Sequence, residues 1–152
     1  CSYSIGENSY EEVVPVCSMY GKRILLIGGT KGLCAGKARL EEQLANSELE
    51  IVDTVLYGHD CTYEAIDKWA AHAKELKVDM IFGMGGGKAI DTAKGVAARL
   101  GLPVFTFPTI AATCAATTAL SVVLSTNVTT KLSSGTQVCC ASTSTILKIS
   151  KK

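Results

Sequence analysis

Met-Ile-Phe-Gly-Met-Gly-Gly-Gly-Lys-Ala-Ile-Asp-Thr-Ala-Lys, residues Met80 to Lys94, decides how the whole chain is read. An apolar run leads into Gly83, Gly85, Gly86 and Gly87, and a helical pattern follows. With no side chains in the way, the backbone there can turn sharply and leave room for something to lie against it. Bare amides at the start of the next helix point outward with the positive end of its dipole, so such a corner can hold a pyrophosphate without any side chain. Asp91 reads equally well as an acid favoured near a helix start.

The flanking segments give that corner a setting. Upstream, Arg23-Ile-Leu-Leu-Ile-Gly-Gly is a short apolar run ending in glycines, the pattern of a parallel strand covered on both faces. Leu33 to Asn46 sets Leu33, Ala38, Leu40 and Leu44 among charged residues and predicts an amphipathic helix. Glu50 to Gly58 predicts a second strand. Thr62 supplies an N-cap for a helix with Ile66, Trp69, Ala70, Ala73 and Leu76 on its apolar face. Val78 to Gly83 is the strand before the glycine corner. Ala89 to Leu100 is the helix after it, stopped by Gly101-Leu-Pro, and Val104 to Phe107 is a fourth strand. Before all of these, residues 1–21 hold a strand end and a short helical stretch limited by Pro15. Strands and helices in alternation with short links predict a doubly wound α/β domain with a parallel sheet. In such sheets ligands lie beyond the carboxyl ends of the strands, where Gly28-Gly29, Gly83 to Gly87 and Pro108-Thr109 converge.

Composition narrows the function classes. At 152 residues and 47% hydrophobic content, the chain suits one well-buried domain. A formal net charge of +1 argues for neither nucleic acid nor an anionic membrane as partner. The charge is uneven: residues 1–91 hold all 14 acids and 9 basic residues, while residues 92–152 hold 6 basic residues. Seven cysteines, odd in number and mostly scattered singly, do not form the spacing of a disulfide framework, and a reducing cytoplasmic location is expected. No apolar run reaches the roughly 18 residues of a membrane span, so a soluble protein is expected.

Three tempting motifs fail. Gly32-Leu-Cys-Ala-Gly-Lys lacks the first glycine and the final Ser or Thr of a triphosphate loop, because Lys31 and Ala38 stand there. His59-Asp60-Cys61 is read as a polar loop, since neighbouring side chains rarely all reach one metal. With His72 as the one other histidine, read as half-exposed, a histidine-built metal site is not available, and no Gly-x-Ser-x-Gly elbow occurs. Between Ser125 and Thr145, 11 of 21 residues are Ser or Thr, with no acid and no helical or strand period. Residues 1–124 are therefore expected to form the α/β domain and residues 125–152 an irregular tail.

Gly85-Gly-Gly-Lys-Ala-Ile-Asp-Thr-Ala-Lys94, followed by Phe107-Pro-Thr-Ile-Ala-Ala-Thr-Cys-Ala-Ala-Thr-Thr-Ala-Leu-Ser-Val122, closely resembles the glycerol dehydrogenase branch of the iron-containing (group III) alcohol dehydrogenases. The similarity runs in register from about Ser4 to Val123. It implies a Rossmann-like, dehydroquinate synthase-like N-terminal domain for NAD or NADP, with zinc or iron held by a helical C-terminal domain whose ligands this sequence does not contain. The implied reaction is hydride transfer between an alcohol or polyol and the nicotinamide. By the same resemblance Gly85, Gly86, Gly87, Lys88 and Ala89 form the pyrophosphate loop with Asp91 near it. Thr109 and Ala112 would contact adenine and ribose, and Thr118 and Leu120 would lie near the nicotinamide.

Two departures bear on specificity. Cys114 stands where glycerol dehydrogenases usually place a substrate-contacting aspartate, and a thiol cannot hold polyol hydroxyls as a carboxylate does, so a 2-hydroxy acid becomes an alternative substrate. Gly29-Thr30-Lys31 ends the first strand without an acid for the ribose hydroxyls, which makes Lys31 a candidate for the extra phosphate of NADP. The expectation for this chain is a cofactor-binding part inactive alone, the alternative being a non-catalytic nucleotide-binding or assembly module, with room for a homo-oligomer. Codons for Lys131 to Ser150, shifted by two nucleotides, can spell a family-like passage, so a frameshifted or truncated gene is the expectation for the tail.

Overall fold

A computed structural model describes residues 3–5, 9–110, 115–118, 120–124, 136–140 and 144–148. The elements run β1 (Tyr3–Ile5), α1 (Val13–Cys17), β2 (Arg23–Gly28), α2 (Thr30–Leu44), β3 (Glu50–Leu56), α3 (Tyr63–Glu75), β4 (Met80–Gly85), α4 (Gly87–Leu100), β5 (Val104–Pro108), β6 (Leu120–Leu124), β7 (Thr136–Cys140) and β8 (Ser144–Lys148). Six strands form one parallel sheet in the order β1-β8-β5-β4-β2-β3, and β6 pairs antiparallel with β7.

Alternation along β2 shows why both sheet faces are covered. Ile24 and Leu26 point to one side, among Leu40 and Leu44 of α2, Val13 of α1, and Phe82, Phe105 and Phe107. Leu25 and Ile27 point to the other, among Ile66, Ala70 and Ala73 of α3 and Ala93, Val96 and Ala97 of α4. All four β2 residues are fully buried, and that requires a continuous apolar run rather than an alternating one. From β2 the chain crosses under α2 to β3 at the sheet edge, then returns across α3 to β4 on the other side of β2. The direction of winding therefore reverses between β2 and β4, which opens a crevice at their carboxyl ends. The expected doubly wound α/β fold is present.

Several boundaries differ from expectation, each for a physical reason. The strand expected to end at Gly83 runs two residues further, so Gly83 lies inside β4, in register with Ile27 of β2 and Thr106 of β5. A side chain there would meet the Ala93 methyl at 2.7 Å, so the glycine serves close helix-on-sheet packing rather than the turn. Helix α2 begins at Thr30, three residues before the expected Leu33, because its N-cap is Gly29, with no side-chain cap to signal it. The tail expected to be irregular contains β7 and β8, and β8 enters the main sheet between β5 and β1 with Ile146 opposite Thr106 and Tyr3. Ser/Thr content hid this, although threonine and the Ile-Leu pair of β8 suit a pleated surface.

Asp79 ties the starts of β2 and β4 together, its Oδ2 accepting the Lys22 and Arg23 amides at 2.8 and 2.9 Å. Those hydrogen bonds hold its carboxyl below the usual carboxylate range. A depressed pKa contributes stability above the unfolded value and loses it as pH falls through the folded value. Asp79→Ala should cost about 1 kcal/mol at pH 7. Urea titrations of both proteins should show that gap closing below about pH 4, where the carboxylate takes up its proton.

Candidate functional site

The crevice is a cleft of about 540 Å³ lined by Gly28 to Gly32, Leu56 to His59, Gly85, Gly86, Thr109 and Ile110. That size is in the range of small-molecule and cofactor sites. Backbone hydrogen bonds fix its floor: the Gly29 amide donates to the Met84 carbonyl at 3.3 Å, Tyr57 to Gly28 at 3.1 Å, and Thr109 to Gly85 at 3.1 Å. The ends of β2, β3, β4 and β5 are thus held to one another through main chain alone.

Two helices start in the wall of this cleft. Helix α2 is N-capped by Gly29 and α4 by Gly86; neither has a side-chain cap or an acid in its first turn. Their first amides and the positive ends of both dipoles are left for a ligand. Helix α3 starts at the same edge of the sheet but is closed off, since Thr62 accepts the Ala65 amide at 3.2 Å and Glu64 lies in its first turn. Presence or absence of a cap separates the structural helix start from the two open ones.

Gly85 and Gly32 set how closely the two starts approach. Gly85 has φ +140°, a conformation L side chains rarely adopt. A Cβ on Gly32 would lie 2.7 Å from the Gly85 Cα and 3.1 Å from the Met84 carbonyl oxygen. Gly32 therefore serves helix packing, which explains the failed triphosphate motif, while Gly36 lies within α2 near Tyr10 and Met84.

Of the residues singled out in the sequence, the structure brings Gly85, Gly86 and Thr109 together in the cleft wall. Gly87, Lys88 and Ala89 form the first turn of α4, with Ala89 buried. Lys88 is exposed and turns to the β3–α3 loop, where its ammonium pairs with Asp60 and lies 3.5 Å from the His59 carbonyl; the Asp60 hydrogen bond raises its pKa. Ala112 and Cys114 lie outside the described residues.

Asp91, 6% exposed, does not line the cleft. It sits between α4 and β6, where it accepts a hydrogen bond from the Val122 amide; burial raises its pKa against that bond and the charge of Lys94. Lys94 is fully buried with its ammonium 3.9 Å from Asp91, and it donates to the Ala115 carbonyl and, at 2.7 Å, to that of Thr118. Thr118 is thus held to α4 through its carbonyl, and Leu120 opens β6.

Sequence reasoning missed Tyr57 and Gly58 as cleft residues, and His59 beside them. The signal was available: the end of a strand adjacent to β2 must lie beside the end of β2. His72, expected half-exposed, is so, and it pairs with Asp53 at 2.6 Å, lowering the pKa of Asp53 through that hydrogen bond. Among the described residues Cys17, Cys34 and Cys61 are not joined in disulfides, and burial pushes the Cys17 thiol up to about 12. No three His, Cys, Asp or Glu side chains among the described residues converge on a metal position, and no helix among them is long and apolar enough to cross a membrane.

The family model for iron-containing alcohol dehydrogenase matches residues 2–146. The chain belongs to the iron-containing alcohol dehydrogenase family. The match passes the boundary expected at residue 124 and includes all of β7 and the start of β8. Glycerol dehydrogenase of Escherichia coli O6:H1 is 35% identical over 102 residues, covering 67% of this chain and 28% of that protein. Hydroxycarboxylate dehydrogenase A of Escherichia coli K12 is 37% identical over 100 residues, covering 66% of this chain and 26% of that one. The chain thus spans about a quarter of the length of these relatives. The crystal structure of glycerol dehydrogenase from Schizosaccharomyces pombe superposes with a TM-score of 0.78 at 20% identity, over 97% of this chain and 36% of that one. An iron-containing alcohol dehydrogenase from Thermotoga maritima gives 0.80 at 19% identity, over 97% and 45%. Both share the Rossmann-like fold.

Proposed function

We propose that this chain is the dinucleotide-binding part of an oxidoreductase that moves a hydride between an alcohol or polyol and NAD or NADP. The observation that carries the reading is the pair of uncapped helix starts, Gly29 and Gly86, facing one cleft at the point where the sheet reverses its winding. A pyrophosphate is the ligand such a pair suits, and the amides of Gly86, Gly87 and Lys88 on one side and of Thr30 and Lys31 on the other would hold it. Gly85 keeps the turn open, Ala89 packs beneath it, and Thr109 borders the cleft beside Gly85. When bound, the nicotinamide would supply the acceptor for a hydride from the carbon bearing the substrate hydroxyl, whose proton would pass to solvent to leave a carbonyl.

Asp91 and Lys94 act at one remove, by holding β6 and residues 115–118 to α4, so we assign them a positioning role. The described residues do not fit an iron or zinc site, and no step of the proposal runs through one. Hydroxy acids are the second substrate class; the relative named for hydroxycarboxylates and the thiol of Cys114, in the position where the resemblance implies an aspartate, both favour it. The division of the chain follows the same logic, with residues 1–124 as the core of the cofactor domain and β8 added to its main sheet.

Titrating the purified 152-residue chain with NADH or NADPH, while following the nicotinamide fluorescence, should give saturable binding of at least one of them. Absence of saturation with both would remove the proposal.

A further inference from the structure

The ribose end of the cleft has a distinctive charge pattern. Where dinucleotide sites hold the 2′-hydroxyl of NAD, a carboxylate stands near the end of a neighbouring strand. Here β2 ends at Gly28, followed by Gly29, and β3 at Leu56, followed by Tyr57-Gly58, and the lining among the described residues contains no Asp or Glu. Its ionisable groups of positive type are Lys31 and His59. The acid nearest in sequence, Asp60, is engaged by Lys88. Lys31 is exposed in the first turn of α2 and forms no ion pair among the described residues. A carboxylate-free wall offers the 2′-hydroxyl no strong acceptor, while a solvated ammonium next to an uncapped helix start attracts a dianion.

Resting on the dinucleotide reading above, we infer that the cleft selects the 2′-phosphorylated cofactor, with Lys31 as the specificity-determining residue that meets the phosphate. The lysine reaches it as a point charge on a flexible stem, so the preference is electrostatic and salt-sensitive.

The test compares NADPH with NADH by fluorescence titration, and adenosine 2′,5′-bisphosphate with AMP by calorimetry, on the wild-type chain and on Lys31→Gln and Lys31→Glu. Expected is a preference of about tenfold for the 2′-phosphorylated member of each pair, the scale of one charge-assisted contact. That preference should shrink in Lys31→Gln and reverse in Lys31→Glu. Far-UV circular dichroism and thermal unfolding of the variants should match wild type, since Lys31 is exposed. Equal or tighter binding of NADH, or a preference that survives Lys31→Glu, would overturn the inference while leaving the cleft a dinucleotide site. Failure of all four ligands to bind would overturn both.

Discussion

Gly85→Val should destabilise the chain by about 3 kcal/mol and abolish dinucleotide binding. The backbone at Gly85 has φ +140°, and a Cβ there would lie 3.3 Å from the Ala89 methyl and 3.5 Å from the Gly29 nitrogen. Valine would force the strand end into extended geometry, carrying Gly86 and the first turn of α4 away from the cleft. The Thr109 amide would lose its acceptor on Gly85 in the process. Gly32→Val tests the same contact from the other helix, because its side chain would run into the Gly85 backbone rather than a yielding side chain. Urea unfolding read by circular dichroism should place both midpoints well below wild type with unchanged slope. Wild-type stability and intact cofactor binding in Gly85→Val would refute this account of the corner.

Lys94→Met carries the second large effect. The ammonium is fully buried, and its hydrogen bonds hold the Ala115 and Thr118 carbonyls against α4, with the Asp91 carboxyl close by. Methionine keeps the stem and deletes the charge. The Ala115 and Thr118 carbonyls would each lose the ammonium as a donor, and Asp91, whose Oδ1 accepts no hydrogen bond among the described residues, would lose its nearby cation. Removing one member of such an arrangement costs about 3–5 kcal/mol. Amide hydrogen exchange should report the loss locally, with protection falling at residues 115–118 and at Val122 before the sheet is affected. Unchanged exchange there would show that Lys94 does not hold this segment.

How much of this was written in the sequence depends on which physical signal each element carries. Strands β2, β4 and β5 were readable because doubly covered strands must be nearly continuous apolar runs, and Ile24 to Ile27 are fully buried. The start of α3 was readable because Thr62 caps it with a side chain, and the end of α4 because Gly101 adopts φ +68°. Helix α2 was placed three residues late because its cap is backbone only. The end of β4 was placed two residues early, because a glycine required by packing and one required by a turn look alike in sequence. Strand β8 pairs with partners some 40 and 140 residues away, and no local period announces such a contact. In the site, Gly85 and Gly86 were recognisable as a phosphate corner. Tyr57 and Gly58 were not, since they enter the cleft through the order of the strands. Asp91 and Lys94 were visible as part of a motif, whereas the contacts that give them a positioning role, to Val122, Ala115 and Thr118, are tertiary.

The most direct test of the central claim is a two-dimensional amide NMR titration of the isotope-labelled chain with NADPH. If the cleft between β2 and β4 is the dinucleotide site, the largest shifts will fall on the amides of Gly29 to Gly32 and Gly85 to Ala89, with smaller ones at Tyr57 to His59. Shifts concentrated anywhere else, or none at saturating cofactor, would contradict it.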